Sequence, residues 1–449
     1  MSQRADAREQ LAVERGYRVY GYRWVVLGVF MVANLAIQIL WISYAPISTS
    51  ASAYYGVSES TIGWFAMVFM IAFIPLSLPA AWLIDARGLR LAVGLGVVLM
   101  AVFGVLRGFA GADFTLAMLA TVGIAVAQPF LLNAWTTMGS HWFAASQRAL
   151  AVGLITLANL VGTGIGVALT PALIQGRAIA SVQLLYGIVA AVAAAAFLVL
   201  ARERPATPPC PPGMEERALM LDGLRHALRV VPFLVYLAVV FVGMGVFNGV
   251  TTWIEQIVHP RGFSEADAGI IGAAMLVGGV LGAVVIPALS DRRGRRVPYL
   301  VLCFALAVPG LLGVAVSSNL WLLLASSFLL GFFLIPALPI GMQYSAEVTY
   351  PTPEGTSNGL IQLFGQVAVV FVYVMSALRA DDGSFTLSLL LSAGLLLLAA
   401  LVVSRLREPQ PPSEWAEAGD QAPAPARVVL AADAAPLDPD APRPPAPVG

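Results

Sequence analysis

Long apolar runs recur along almost the whole chain. Each has the roughly 20 helical residues that are needed to cross about 30 Å of hydrocarbon. The first six cover approximately 22–46, 60–84, 90–108, 113–137, 148–174 and 179–201, and the second six cover approximately 229–255, 267–290, 297–316, 319–345, 356–379 and 383–405. The runs are continuous and do not alternate with polar residues, which favours helices over barrel strands. The pattern predicts an all-α membrane protein with twelve transmembrane helices.

Polar segments divide this pattern into two halves. A leader at 1–21 carries several arginines, and the apolar run after it is too long for a cleavable signal peptide. Residues 202–228, rich in proline and then in charge, form a predicted linker between one six-helix half at 22–201 and a second at 229–407. At 408–449 proline, alanine and acidic residues dominate without apolar periodicity, so this tail is predicted to be disordered.

The distribution of arginine predicts the orientation in the membrane. Most arginines fall at the leader, the linker and the loops on the same side of the predicted bundle, whereas Arg107, Arg177, Arg261 and Arg379 fall near the other side. Positive charge accumulates on the cytoplasmic side of membrane proteins. We therefore expect both termini in the cytoplasm, and a multi-pass protein of the plasma or inner membrane.

Composition narrows the classes of function. The chain is 59% hydrophobic and only 11% charged, whereas soluble domains have about 25% charged residues. Its 25 basic residues balance 25 acidic ones, which predicts no nucleic-acid partner. Cys210 and Cys303 have no metal-ligand spacing, and the sequence contains no nucleophile–base set or phosphate loop. We expect neither an enzyme nor a cofactor or metal, and a monomer whose partners are the bilayer and a small solute.

A repeated motif links the two halves. The second predicted helix ends in Pro79-Ala-Ala-Trp-Leu-Ile-Asp85-Ala-Arg-Gly88-Leu-Arg90, and the eighth ends in Pro287-Ala-Leu-Ser-Asp291-Arg-Arg-Gly294-Arg-Arg296. The chain thereby resembles the major facilitator superfamily, whose loop between the second and third helices carries this Asp/Gly/Arg pattern. The resemblance implies two pseudo-symmetric six-helix halves and a secondary transporter.

The same motifs supply candidate gating residues. The glycine allows a tight turn, and the arginines can meet carboxylates at neighbouring helix ends. We predict that Asp85 pairs with Arg148 and that Glu347 pairs with the Arg292–Arg296 cluster, so that these pairs latch an inner gate. The alternative is that the charges only set topology. The candidate gating residues are Asp85, Gly88, Arg90, Arg148, Asp291, Gly294, Arg296 and Glu347.

Glycines are dense in two predicted helices. Gly162, Gly164 and Gly166 lie in the fifth, and Gly278, Gly279 and Gly282 lie in the eighth. Small residues allow helices to pack closely in lipid. By resemblance to the superfamily, these helices meet across the interface between the halves, either as a rocking contact or as static packing.

The middle of the bundle is predicted to be polar but uncharged. Ionisable residues inside a membrane are usually functional, and none falls mid-helix here. Aromatic rings can hold an organic cation, and amides can bond a hydroxyl or carbonyl group. The candidate substrate-binding residues are Trp41, Tyr44, Gln128, Phe247, Asn248, Gln362 and Gln366. The alternatives are an interfacial position for Trp41, a position also predicted for Trp24, Trp64 and Trp253, and interhelical bonding for the glutamines.

Several segments resemble a narrower family. These are Trp41-Ile-Ser-Tyr-Ala-Pro-Ile-Ser, Val126-Ala-Gln128-Pro-Phe-Leu-Leu, Gly245-Val-Phe-Asn248 and Ala346-Glu-Val-Thr-Tyr-Pro-Thr-Pro-Glu-Gly-Thr-Ser-Asn-Gly359. They are similar to segments of the feline leukaemia virus subgroup C receptor-like transporters. That resemblance implies carriage of choline-like amines, with haem also proposed for the family. It gives Trp41 the role of the cation-stacking ring and gives Gln128 and Gln366 the role of cavity amides. Phe247 stands where the family tends to have tyrosine.

Three hypotheses of function follow. The first is a facilitator or uniporter that moves a small organic cation by alternating access. The second is a proton-coupled exporter of a metabolite or drug that uses Glu255 or Glu347. The third is a membrane receptor or scaffold that does not transport.

Overall fold

The computed structural model describes residues 20–144, 147–207, 221–350, 352 and 354–408. Twelve helical segments in this part of the chain are long and apolar enough to cross a membrane. The predicted all-α fold with twelve spans is therefore confirmed. The tail and nearly all of the leader, together with residues 208–220 of the linker, lie outside the described residues.

Spans 1 to 6 form what we call the N-terminal half. Their helices are Arg23–Ile42 and Ser48–Tyr55 for span 1, Glu59–Ile62 and Trp64–Arg87 for span 2, Leu89–Phe109 for span 3, Phe114–Leu132 and Trp135–Trp142 for span 4, Arg148–Ile174 for span 5, and Ile179–Leu200 for span 6.

A linker helix, Leu221–Ala227, precedes the C-terminal half. The helices of that half are Val231–Val258 for span 7, Glu265–Arg293 for span 8, Val297–Val316 for span 9, Leu320–Leu334 and Ala337–Val348 for span 10, Glu354–Val367 and Val369–Ala377 for span 11, and Thr386–Ser404 for span 12. Because each half has an even number of spans, the linker and the starts of spans 3 and 9 lie at one end of the bundle. We call this the linker end and the other the opposite end.

Interruptions divide several spans near mid-length. Span 4 stops at Leu132, just after Pro129, and resumes at Trp135, while span 10 is interrupted at Pro336. Proline cannot donate the helical hydrogen bond and displaces the preceding turn. Backbone irregularity at membrane depth is tolerated where it is buried in protein or lines a cavity. These two breaks therefore indicate where a cavity between the helices would lie.

Buried apolar side chains form two large clusters. One is drawn mainly from spans 1 to 6 and includes Phe30, Phe69 and Phe73. The other is drawn mainly from spans 7 to 12 and includes Phe233 and Leu300. Each half thus has its own packed interior, as expected if two bundles move against each other.

The glycines of the two dense groups differ in what they contact. A Cβ atom at Gly162 would overlap the backbone of Leu35 in span 1, and one at Gly278 would overlap the backbone of Phe328 in span 10. These glycines therefore allow close packing within one half. Among the six glycines, Gly164 faces the other half: its Cβ position lies 3.8 Å from Leu276 in span 8. Of the two alternatives, a contact between the halves fits Gly164, and static packing within one half fits the other five glycines, because helix rotation turns them inward.

Candidate functional site

A cavity lies between the two halves, at the level of the breaks in spans 4 and 10. Its volume is about 130 Å³, counted as the space open to the centre of a water molecule. No aspartate, glutamate, arginine, lysine or histidine is among the lining residues that the structure describes. The side chains that face it are Gln38, Trp41, Gln128, Leu132, Trp135, Thr156, Asn159, Leu160, Thr163, Tyr236, Val240, Met244, Phe247, Asn248, Phe304, Leu334, Ile335, Leu338, Gln362 and Gln366.

Most of the candidate binding residues meet at this cavity. Trp41 comes from span 1, Gln128 from span 4, Phe247 and Asn248 from span 7, and Gln362 and Gln366 from span 11. The last two are four residues apart and therefore lie on one face of their helix. The structure thus brings together side chains from both halves. Whether they bind a solute stays a prediction.

Tyr44 is the exception among these candidates, because it is not among the lining residues. Its ring stacks on Phe65 with centroids 4.1 Å apart, and its hydroxyl lies 2.8 Å from that of Tyr55. The helix that carries Trp41 ends at Ile42, so Tyr44 does not continue the face of Trp41. The guanidinium of the buried Arg107 lies 5.3 Å from the Tyr44 ring and donates to the carbonyl of Leu40. Tyr44 belongs to this packing, away from the cavity.

The polar groups of three aromatic residues that line the cavity bond to other parts of the protein. Trp41 Nε1 donates to the carbonyl of Ala66 over 3.1 Å, and Trp135 Nε1 donates to Asn34 Oδ1 over 2.8 Å. The Tyr236 hydroxyl donates to the carbonyl of Ala337 over 2.9 Å. These bonds fix the orientations of the rings. The remaining surface of each ring is suited to apolar or cation–π contact.

Two amides in the cavity wall have an unpaired end. Gln128 Oε1 and Asn159 Nδ2 are buried and have no hydrogen-bond partner. A buried polar atom without a partner is costly, so such atoms mark places where a ligand or water can bind. One acceptor and one donor together match a hydroxyl group, which has both functions.

Tyr236 and Phe304 complete the wall but are absent from the candidates selected by sequence. Tyr236, Val240, Gly243 and Phe247 all line the cavity. Their spacing of four, three and four residues places them on one face of span 7. This periodicity, extended from Phe247, was a signal that could have identified Tyr236. Nothing comparable in the sequence singles out Phe304.

At the opposite end, a buried carboxylate joins the two halves. Glu255 of span 7 is fully buried and accepts hydrogen bonds from the hydroxyls of Ser48 and Thr49 in span 1, the latter over 2.6 Å. Glu265 of span 8 accepts from the backbone nitrogen of Ser50 over 2.7 Å. Both carboxylates therefore face the first turn of the helix Ser48–Tyr55, where unpaired backbone N–H groups favour negative charge.

A third carboxylate extends this contact. Glu59 of span 2 forms an ion pair with Arg379, with 3.0 Å between Oε2 and Nη2. The backbone carbonyl of Glu59 accepts from Gln256 Nε2 over 3.0 Å. Beside it, Trp253 is fully buried and lies so close to Gly63 that a Cβ atom there would overlap its ring. The predicted interfacial position of Trp253 was wrong, because its ring packs between the halves.

At the linker end, the repeated motif forms the predicted turns. Gly88 and Gly294 adopt positive φ angles of 93° and 60° and end spans 2 and 8. Arg296 contacts Asp291 and lies 3.2 Å from Glu347, so the predicted contact of Glu347 with this cluster is present. Burial alone would lower the pKa of Arg296, but the hydrogen bond to Asp291 and the charge of Glu347 outweigh burial and raise that pKa. These contacts join helices of the same half.

A second repeat at this end was missed in the sequence. Glu203, after span 6, accepts from the backbone nitrogens of Leu89 and Arg90 at the start of span 3. Glu408, after span 12, accepts from those of Arg296 and Val297 at the start of span 9. Each carboxylate caps the equivalent helix of its own half. An Arg-Glu pair follows both spans, at 202–203 and 407–408, and was the available signal.

Comparison with known proteins decides the family. The model of the Major Facilitator Superfamily matches residues 26–264 and 254–438. The chain belongs to the Major Facilitator Superfamily. This transporter is thus a multi-pass membrane protein that moves small organic solutes as a secondary transporter, and it is not an enzyme.

The transporter is also similar to three curated proteins. It is 28% identical to the choline/ethanolamine transporter flvcr2a of Danio rerio, covering 87% of this chain and 88% of that protein. It is 31% identical to solute carrier family 49 member A3 of Danio rerio, covering 82% and 81%. It is 29% identical to the choline/ethanolamine transporter FLVCR1 of Felis catus, covering 86% and 73%. The resemblance seen in the sequence is confirmed.

A solved structure has the same fold. It is the crystal structure of a bacterial homologue of the human lysosomal transporter Spinster, in an inward-facing and unoccupied conformation. It matches this transporter with a TM-score of 0.67 and 14% sequence identity, covering 86% of this chain and 96% of the other. At this identity the match supports the two-half architecture alone.

Proposed function

We propose that this transporter carries a small organic cation of the choline type down its gradient, by alternating access of the two halves. The observation that carries the proposal is the cavity, which offers ring faces and amides and no charged side chain among its described lining residues. Relatives named as choline/ethanolamine transporters support the same class of solute.

The ammonium end of the solute would lie against the tryptophan rings. Trp41 and Trp135 both line the cavity and donate their N–H groups to other parts of the protein, which leaves the rings for contact with the ammonium. A desolvated cation–π contact contributes about 2 kcal/mol or more without a counter-charge. Phe247 adds a ring that has no hydroxyl to donate. We propose that these rings select a cation that is large and weakly hydrated.

The hydroxyl end would bond to the amides. Gln128 Oε1 can accept its proton while Asn159 Nδ2 donates to its oxygen. Gln362, Gln366 and Asn248 lie across the cavity, on the C-terminal half. A solute held in this way would touch both halves at once, which is what alternating access requires of a central site.

Gradient-driven movement is favoured over proton coupling by the positions of the carboxylates. Glu255 lies in the contact at the opposite end, and Glu347 lies beside Arg296 at the linker end. Neither is among the lining residues of the cavity. A coupling proton would have no acceptor beside the solute in this arrangement.

We further propose that the linker end is cytoplasmic, in the plasma or inner membrane, and that the chain works as a monomer. Arginines concentrate at the linker end, including Arg87, Arg90, Arg292, Arg293 and Arg296. This follows the positive-inside rule. The pairing of Asp85 with Arg148 stays a prediction, and so does the gating role of Gly88, Arg90, Asp291, Gly294, Arg296 and Glu347. We propose instead that the contacts of Arg296 with Asp291 and Glu347 stiffen the C-terminal half.

Uptake and binding by purified protein test this function. We expect radiolabelled choline to bind and to enter proteoliposomes without an imposed pH gradient, ahead of ethanolamine, pyridoxine and haem. Trp41→Ala should weaken choline binding about 30-fold, which corresponds to a loss of about 2 kcal/mol, and Trp41→Phe should recover part of it. Trp24→Ala is the matched control, because Trp24 lies on the surface of the helix bundle, where it is 44% exposed. Uptake that needs a pH gradient, or parent-like binding by Trp41→Ala, would contradict the proposal.

A further inference from the structure

A second cavity adjoins the first on the side of the linker end. Its volume by the same measure is about 70 Å³. Its walls come from spans 2, 4, 5, 10 and 11, so it also lies between the halves. Leu132, Trp135 and Gln362 line both cavities. The two cavities are therefore neighbours along the cleft.

The second cavity has polar groups but little aromatic surface. Ser77, Asn133, Thr136, Thr356 and Asn358 line it, and Trp135 supplies a ring. Asn133 Nδ2 donates to the carbonyl and hydroxyl oxygens of Ser77, over 2.9 and 3.2 Å. Asn358 Oδ1 is buried without a hydrogen-bond partner. The cavity thus has an acceptor available for a solute that donates a hydrogen bond.

We propose that this second cavity is a separate binding site for the same solute, occupied between the central cavity and the linker end. The proposal rests on the proposed function, since it concerns the same solute. Gln362 lines both cavities, so it can take over the hydrogen bond to the hydroxyl group from Gln128 and Asn159 while the ammonium leaves the Trp41 ring. The second site bonds the solute mainly through its hydroxyl or amine, and it binds more weakly because it lacks the set of rings in the first.

The linker helix contributes to the wall of this site. Leu224 of that helix is among the residues that line the second cavity. Gly223, its neighbour, accepts a hydrogen bond from Thr352 Oγ1 over 3.3 Å, just before span 11. We expect this helix to move aside when a solute leaves the second site at the linker end.

Gly359 allows the second cavity to be filled without altering the first. It lines only the second cavity, and no atom beyond its chain neighbours and the backbone of its own helix lies within 4 Å of the position where its Cβ would stand. In Gly359→Leu the new side chain occupies that open space. We expect parent-like binding of radiolabelled choline, within about two-fold, and at least a ten-fold slower efflux from proteoliposomes.

Gly394→Leu is the matched control for that variant. Gly394 lies on the exposed face of span 12 and also has open space at its Cβ position. We expect parent-like binding and efflux from it. Parent-like efflux from Gly359→Leu would show that the cavity is not on the path. Loss of binding together with efflux would show that the two cavities are one site. Either result overturns the proposal.

Thiol protection separates this proposal from the proposed function. Thr136→Cys, made together with Cys210→Ser, places a thiol in the second cavity and keeps the Asn358 acceptor, while the native Cys303 is buried. Choline should slow modification of the new thiol by a small neutral reagent at least three-fold, and should still do so after Trp41→Ala. Protection that disappears with Trp41→Ala, while the parent binds choline, overturns only the second site. A parent that binds no choline overturns the proposed function instead.

Discussion

The two ends of the cleft are held by opposite uses of charge. At the opposite end, Glu255 and Glu59 belong to different halves, and each bonds to residues of the other half. At the linker end, Glu203, Glu408 and Arg296 bond within their own half. Polar contacts therefore join the halves at one end and stiffen each half at the other. Opening the opposite end would break the first group and leave the second intact.

This difference indicates which contacts set the conformational equilibrium. A contact shifts an equilibrium only if it differs between the two states. Contacts within a half move with that half as it rotates, so they contribute to folding stability but not to the choice of state. We therefore expect variants at the opposite end to change the closed population, and variants at the linker end to change the free energy of unfolding.

The largest effect is expected where the halves pack without a gap. In Gly63→Ala the new methyl group would overlap the ring of Trp253, whose Nε1 is fixed by a hydrogen bond to the carbonyl of Val372 over 3.0 Å. Overpacking of this kind costs about 1–3 kcal/mol. We expect amide exchange in the helix Ser48–Tyr55 to become at least ten-fold faster, measured by mass spectrometry.

Gly153→Ala controls for the substitution itself. Gly153 is also helical, and no atom lies within 4 Å of its Cβ position. Its exchange should match the parent. If Gly63→Ala also exchanged like the parent, the Trp253 contact would not hold the opposite end closed.

Glu255 gives the next largest effect. Glu255→Leu has a similar size but leaves the hydroxyls of Ser48 and Thr49 without their acceptor, in a fully buried place. An unsatisfied buried polar group costs about 1–3 kcal/mol. We expect several-fold faster exchange in the helix Ser48–Tyr55 and a smaller change in Glu255→Gln, which can still bond to both hydroxyls.

Asp113→Asn is the matched control for Glu255. Asp113 lies at the same end but caps span 4 by accepting from the backbone nitrogen of Leu116, within one half. Its substitution should leave exchange in the helix Ser48–Tyr55 unchanged. Equal effects of the two substitutions would remove the distinction between contacts across the halves and contacts within them.

The sequence predicted the fold because hydrocarbon imposes a strong constraint. In lipid only helices and closed barrels satisfy their backbone, and the apolar runs lack the alternation of barrel strands, so twelve runs predicted twelve helical spans. The amides and Trp41 could be predicted as cavity residues because polar groups at mid-membrane are expensive and face the bundle interior. Tyr44 was not distinguishable from them, because the helix break after Ile42 is not visible in hydropathy.

Contacts between distant helices could not be predicted in the same way. Trp253 and Glu255 lie near the end of an apolar run, where an interfacial aromatic and a solvated carboxylate are ordinary. Their burial depends on which face of span 7 meets spans 1 and 2. Glycine faces were ambiguous for the same reason, since close packing within one half and packing between halves use the same residue type.

A smaller effect of a different kind is expected at Arg296. Arg296→Ala removes the contacts with Asp291 and Glu347, and we expect a loss of about 1–1.5 kcal/mol in the free energy of unfolding. The pKa of Arg296 is raised above its ordinary value, which is already high. The stabilisation by Arg296 should therefore be constant from pH 5 to 9, and it would be lost only as the pH rises through that pKa. Thermal unfolding measures this loss of stability.

Arg292→Ala, at an exposed neighbour, is the control. Faster exchange in the helix Ser48–Tyr55 of Arg296→Ala would contradict a role confined to one half.

The smallest effect tests the two helix caps against each other. Glu203 and Glu408 accept backbone hydrogen bonds at the starts of spans 3 and 9, so Glu203→Ala and Glu408→Ala should each reduce the free energy of unfolding by about 1 kcal/mol. Because the caps lie in different halves and are far apart in the chain, their effects should add within about 0.5 kcal/mol. Thermal unfolding of both single variants and of the double variant measures this. If the double variant lost much more free energy of unfolding than the two single variants together, the halves would be coupled at the linker end as well. The contrast between the two ends would then be one of degree.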